Sequence, residues 1–343
     1  MTALSGIAAL LKVLSAARER IQVDDAELTE ARRRRGRIQT ALKEEFGPDC
    51  RVYLNGSVAH GDALTPLTDI DLGVVVPNPD GEFGPYANGP AKLQDRAANA
   101  IRDALKGEFP LLRVITGGRK RSVYVAFGAP VDPNESDFSA DVIVAIDYPW
   151  GNGLWIPNYE TWDRSDPEAH TRLVRDAIKL SNVNYTRTVR LLKHWVRRHS
   201  KLLCSWNIKA LGLSCITGEL NQLDGMVAWF DYAIADLSRR ETPDPAGVAG
   251  PISIPGDRAE VVGRLTTARA KLVEAINYAN DGYDVLAVDA LAVFFNDPQM
   301  LPRPSDLAVQ TQRLERAVGQ RATRSPAVTA PVRSHTPVRS WAP

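Results

Sequence analysis

The segment NGSVAHGDALTPLTDIDLGVVV, residues 55–76, constrains the fold more than any other stretch of this chain. RVYLN reads as a short strand that stops at Gly56-Ser57. After a turn-rich link, DIDLGVVVP reads as a denser strand ended by proline. Alternation along the second strand sends Asp69 and Asp71 to one face and Ile70, Leu72 and Val74 to the other. The sheet containing it must bury apolar side chains on one surface and hold two carboxylates side by side on the opposite one. Two like charges held that close demand a cation.

The rest of the chain is ordered around this pair. Residues 3–46 carry apolar positions at helical spacing (Leu10, Leu11, Val13, Leu14, then Ile38, Leu42, Phe46), and Gly47-Pro48 supplies a stop. Within this N-terminal helical arm, Arg32 to Arg35 read as a solvated face. A Gly/Pro/Asn loop (77–90) leads to a helix over about 91–107, then to strands in LLRVITG, RSVYVAFGAP and ADVIVAI. Beyond Trp162 the pattern turns helical, with periodic stretches over 167–200, 204–221, 223–238, 257–280 and 283–296. A proline- and glycine-rich link (241–257) interrupts them, and residues 318–343 read as a disordered tail. The expected fold class is α+β: a mixed-sheet lobe over 1–165 that includes the N-terminal arm, and a helical lobe over 166–317.

Composition narrows the function classes. A formal charge of +1 over 343 residues provides no overall field to attract nucleic acid, so any site for polyanions must be local. No apolar run is long enough to span a bilayer, and the first residues read as an amphipathic helix rather than a signal peptide. Cys50, Cys204 and Cys215 are widely separated and lack a CxxC spacing, which suits a reducing compartment. The expected setting is the cytoplasm.

Magnesium takes hard oxygen ligands and keeps positions for water and substrate phosphates, so paired aspartates beside a phosphate cradle suit nucleotide chemistry. Gly56 lets backbone approach a triphosphate, and Ser57 offers a hydroxyl and, if it opens a helix, exposed N–H groups. Asp141, at the start of the apolar strand in SADVIVAI, is the best third carboxylate; Asp137 and Asp147 are less well placed. A DxD pair or a Gly-Ser turn alone is commonly a surface feature. Gly-Ser at a strand end, eleven intervening residues, DxD on the next strand and a later strand acid form the order that one chemistry requires.

That order resembles the DNA polymerase β-like nucleotidyltransferase superfamily. SADVIVAI, GLWIPNYETWDRSDPEAH, the helix with RLLKHW and the following LLCSWNIKAL extend the resemblance to the CD-NTase family, over about residues 5–300. These are bacterial relatives of cyclic GMP-AMP synthase and oligoadenylate synthase that make cyclic di- or trinucleotide second messengers in anti-phage defence. The resemblance implies that Asp69, Asp71 and Asp141 hold two Mg²⁺ ions, with Mn²⁺ as a substitute. It also implies that Lys193 and Ser205 grip the triphosphate of ATP, GTP or another NTP, with Gly56 and Ser57 on its other side. Many relatives have Ser-Tyr followed by a leucine and an acid, where this chain has Ser205-Trp206-Asn207-Ile208-Lys209.

The resemblance further implies a regulatory or conjugating protein partner at the C-terminal tail. No cysteine-histidine zinc insertion or double-stranded nucleic-acid platform is legible, so activation by DNA or RNA has no support. Tyr124, Trp155, Trp162 and Tyr185 are candidates for stacking on bases, although aromatics in two-lobed proteins more often fill cores. Two alternatives stand beside cyclisation: nucleotide transfer to tRNA, a protein or a small molecule, and a catalytically silent binding or scaffold role.

Overall fold

The computed structural model describes residues 6–324 and opens with two helices, α1 (Gly6–Arg20) and α2 (Asp25–Phe46). Asp24 caps α2 by accepting from the Glu27 N–H, and Gly47 ends it at φ 86°. Strand β1 (Arg51–Asn55) runs into the short helix α3 (Gly56–His60), and β2 (Asp69–Val76) returns antiparallel to β1. Helix α4 (Ala91–Leu105) precedes β3 (Arg113–Ile115), β4 (Val123–Ala126) and β5 (Ser139–Asp147). The sheet order is β1-β2-β5-β4-β3, with β2 and β5 parallel and the other neighbours antiparallel.

One face of this sheet buries Ile70, Leu72, Val74, Val125, Ala140, Val142 and Val144 against Ile38 and Leu42 of α2 and Leu93, Ala97 and Ile101 of α4. The predicted segregation along β2 is therefore what anchors the lobe. Arg34 belongs to the same interior, contrary to the reading of Arg32 to Arg35 as a solvated face. It pairs with Glu30 at 2.7 Å and Asp137 at 2.8 Å, and its guanidinium lies 4.5–5.1 Å from the ring centres of Phe109, Phe127 and Phe138. A run of arginines was misleading because the helix turns one of them inward, where an acid and three rings receive it.

The sheet extends through a hairpin of β6 (Leu154–Asn158) and β7 (Thr161–Ser165), which the sequence pattern did not separate from its surroundings. Its strands are short, and Tyr159 at φ 53° helps turn the chain between them. Pro167 then starts α5 (Pro167–Leu180), capped by Asp166. Helices α6 (Asn184–Arg198), α7 (Ser205–Cys215), α8 (Gln222–Leu237), α9 (Arg258–Asn280) and α10 (Asp284–Phe295) follow near the expected positions.

Their core is built from Val189, Leu192, Trp195, Trp229, Phe230, Leu265, Leu272, Leu291 and Phe294. Leu10, Leu14 and Ala17 belong to this cluster as well, so α1 packs with the helical lobe while α2 packs with the sheet. The arm is thus shared between the lobes, because its two halves present apolar faces to different partners. Helix α11 (Asp306–Arg324) carries the chain into the stretch read as a tail; residues 325–343 of that expectation lie outside the described residues. The architecture is α+β, as expected.

Candidate active site

Register brings the three aspartates together. Asp69 pairs with Ser139 and Asp71 with Asp141 across the parallel β2–β5 ladder, so all three lie at the same end of two adjacent strands. Antiparallel β1 places Asn55 opposite Asp71, and Gly56 follows at the first position of α3. At φ 76°, Gly56 occupies backbone space that favours glycine, and an added Cβ would stand 1.7 Å from Asp71 Oδ2. The glycine is there because the carboxylate fills the space of its missing side chain. Ser57, half-buried in the first turn of α3, accepts the Asp62 N–H at its carbonyl, 3.0 Å away.

Electrostatics expresses the crowding. Burial, then Asp69 and Asp141, pushes the Asp71 carboxyl up to about 7. Burial and Asp141 raise that of Asp69, with Lys193 opposing. Asp141 Oδ1 accepts from Ser122 Oγ at 2.6 Å and from Arg119 Nη2 at 3.0 Å, and Arg119 lies 4.6 Å above the Tyr124 ring.

In this arrangement no three carboxylates, imidazoles or thiols converge as a ready ligand set among the described residues. The donor chemistry nevertheless fits a hard divalent cation: three carboxylates share one sheet end, and the charge on the innermost is strongly disfavoured until something positive meets it. Asp137 and Asp147 are engaged elsewhere, with Arg34 and with Arg51.

Lys193 stands on α6 and reaches across to the link between Gly56-Ser57 and β2. Its Nζ donates to the Asp62 carbonyl at 2.9 Å and to Asp62 Oδ1 at 2.7 Å. Two neighbours on the same helix also hold this link: Arg190 donates to the Gly61 carbonyl, and Arg197 to that of Thr65 at 3.1 Å. Three cations of α6, Arg190, Lys193 and Arg197, thus form a brace between the lobes. Arg198, on the same helix, is exposed.

Ser205 is exposed at the start of α7, and among the described residues no hydrogen bond ties it to the carboxylates or to Lys193. Lys209, one turn further along α7, is buried and joins the Asp62 cluster instead. Asp62, His60 and Lys209 were not singled out from the sequence. A lone acid in the link and a lysine inside the apolar run NIKALGL were the available signals. Of the candidate aromatics, Tyr185 is core and bonds the Lys209 carbonyl at 2.9 Å, while Trp162 donates to the Asn88 carbonyl at 3.1 Å. Trp155 packs edge-on against Tyr148, and Tyr124 stays half-buried across from Asp141.

A nucleotidyltransferase domain model matches residues 36–113, which include Gly56, Ser57, Asp69 and Asp71. The chain thus carries a nucleotidyltransferase domain. Its architecture is that of the CD-NTases. CdnC of E. coli MS115-1, solved in a complex with HORMA-deltaN, aligns at 17% identity over 85% of this chain and 96% of its own, with TM-score 0.63. CdnG of Bradyrhizobium diazoefficiens, solved with GTP, aligns at 13% identity over 87% and 97%, with TM-score 0.60. The Vibrio cholerae cyclic AMP-GMP synthase DncV aligns at 15% identity over 86% and 81%, with TM-score 0.53. No curated protein matches the sequence.

Proposed function

We propose that this protein joins nucleoside triphosphates into a cyclic di- or trinucleotide. The observation that carries the reading is the pairing of Asp71 with Asp141 in register, with Asp69 on the same face and Gly56 pressed against Asp71. In each step a ribose hydroxyl attacks the α-phosphorus of a bound NTP in line. A new P–O bond forms, the α–β anhydride breaks, the hydroxyl proton is lost and pyrophosphate leaves.

Asp69, Asp71 and Asp141 would hold two Mg²⁺ ions, or Mn²⁺ in their place, which supply Lewis-acid activation of the hydroxyl and charge neutralisation on the leaving phosphates. Gly56 and Ser57 let backbone approach the triphosphate, and Lys193 opposes its charge from the helical lobe. Ser205 is assigned to the same triphosphate on the family resemblance alone. Turning the linear product around for a second step closes the ring. The lobes proposed for this division of labour are residues 1–165 and 166–317, with α1 packing on the second.

Likeness to DncV, a cyclic AMP-GMP synthase, and to CdnG bound to GTP supports free nucleotides as substrates over tRNA, protein or small-molecule acceptors. The intact carboxylates weigh against a silent scaffold. Second-messenger signalling in anti-phage defence, a cytoplasmic setting and a protein partner at the C-terminal tail follow from the CD-NTase resemblance. The CdnC complex with a HORMA protein agrees with partner control in such enzymes. Among the described residues no helix is long and apolar enough to cross a membrane. The test is product formation from each NTP and each pair with Mg²⁺: products resistant to phosphatase support cyclisation, and label transferred only to added tRNA or protein contradicts it.

A further inference from the structure

Asp62 is fully buried in the link between Gly56-Ser57 and β2, yet it meets two lysines from the helical lobe. Lys193 Nζ donates both to its carbonyl and to Oδ1, and Lys209 Nζ stands 2.9 Å from Oδ2. Lys209 also lies 2.9 Å from His60 Nδ1, while His60 Nε2 is 3.2 Å from Thr171 Oγ1. The Thr171 hydroxyl donates to the Leu54 carbonyl at 3.1 Å, so its oxygen receives the His60 Nε2 proton and leaves Nδ1 to accept from Lys209. Burial, then Lys209, pushes the His60 imidazole down to about 3, in keeping with a neutral ring. The result is a chain of contacts from β1 through α5, α3 and α7 to α6, holding two ammonium groups against one carboxylate.

Such a cluster is a poor device for stability alone. Two cations and an anion lose their hydration, and apolar side chains of similar volume commonly hold a fold as well. Its geometry has a directional consequence, however. An ammonium has three protons; two on Lys193 are committed to Asp62, which fixes the direction of the third. The Asp62 N–H in turn donates to the Ser57 carbonyl at 3.0 Å, so the amine that grips Asp62 is tied to the Gly56-Ser57 turn.

We propose that Asp62 is a positioning residue: it clamps Lys193, with Lys209 balancing its second oxygen, so that the remaining ammonium proton is aimed at the phosphates of the incoming nucleotide. The inference rests on the nucleotidyltransferase reading and assigns a role to a residue outside the Gly-Ser and DxD motifs. Without Asp62, Lys193 keeps its charge but loses its aim.

The test compares the full chain carrying Asp62→Asn with Lys209→Met, a pair that removes one negative and one positive charge together, against wild type and Lys193→Met. Melting temperature, KM and kcat for ATP and GTP with Mg²⁺, and calorimetric ATP affinity are read for each. The double variant is expected to melt near wild type while its KM rises about tenfold, the scale of a lost hydrogen bond to a charged group. Adding Lys193→Met to it should cost little more, since the residues act as one unit. Wild-type KM in the folded double variant, or a lower KM because Asp62 had been withholding Lys193, would overturn the inference. A wild type that neither binds nor consumes any NTP would instead overturn the reading beneath it, and the inference with it.

Discussion

Gly56 has no room for a β-carbon, and this makes it the sharpest single-residue probe of the site. Gly56→Ala must displace Asp71 Oδ2 as well as adopt φ 76°. Misplacing a reacting group by about 1 Å costs on the order of 100-fold in rate, and that loss is expected in NTP turnover. The melting temperature should fall far less. An alanine variant with wild-type turnover would mean that Asp71 is not held where the chemistry occurs.

Asp71 gives the opposite expectation for stability. Its folded pKa, about 7, lies above the unfolded value of 3.8, so the folded protein binds extra proton between them. The associated stability is present below about pH 4 and lost as the pH rises through 7. Asp71→Asn should therefore stabilise the protein at pH 8, by about 1–2 kcal/mol, while abolishing turnover. Mg²⁺ should raise the melting temperature of wild type at pH 8 more than that of the variant. Equal melting of the two proteins at pH 8, with and without Mg²⁺, would contradict this picture. Asp62 and His60 have the reverse sign. Burial alone would raise the Asp62 pKa, but Lys193 and Lys209 outweigh it and hold it at about 2. Burial, then Lys209, holds His60 at about 3. Their contributions are present near neutrality and decline on acidification, below about pH 6.5 for His60 and below about pH 4 for Asp62.

At the scale of elements, α2 and α6 are both marked by cations and both put those cations to internal use. Arg34 on α2 ties the helix to Asp137 and to three phenylalanines. Arg34→Ala leaves a cavity and an acid without its partner. It should cost about 3–5 kcal/mol in urea unfolding, whereas Arg32→Ala, on the exposed side, should cost within about 0.5 kcal/mol. Equal effects of the two substitutions would contradict the buried role of Arg34. Helix α6 holds the link to β2 at three carbonyls through Arg190, Lys193 and Arg197.

These uses explain where sequence reading stopped. Periodicity located α4 to α10 and strands β1 to β5, and alternation put Asp69 and Asp71 on one face, because each signal is local. The neighbour of Asp71 was legible as well, since Asp141 is a lone acid at the head of an apolar strand. The inward turn of Arg34, the division of the N-terminal arm between two cores and the clasp of Asp62 by Lys193 and Lys209 depend on partners about 100 to 270 residues away. No window of sequence contains them. Hairpin β6–β7 was missed for a different reason: its strands are short, and Pro157 interrupts the first of them.

At the scale of the molecule, two cores meet along the link that joins Gly56-Ser57 to the aspartate strand. The sheet lobe carries the carboxylates and the helical lobe carries Lys193, so a nucleotide bound between them would touch both. Lobe packing therefore sets the distance between the Lys193 ammonium and the three carboxylates, and α1, packed on the helical core, shares in setting it. The nucleotidyltransferase domain match covers only the first part of this arrangement, residues 36–113. Asp141 and Lys193 complete it from beyond that range.

The most direct measurement incubates the purified protein with each labelled NTP and every pair, with Mg²⁺ or Mn²⁺, beside the Asp69→Asn, Asp71→Asn double variant. The account predicts products that resist phosphatase, need the divalent cation and are absent from the variant. Products formed equally by the variant, or label appearing only on added tRNA or protein, would contradict it.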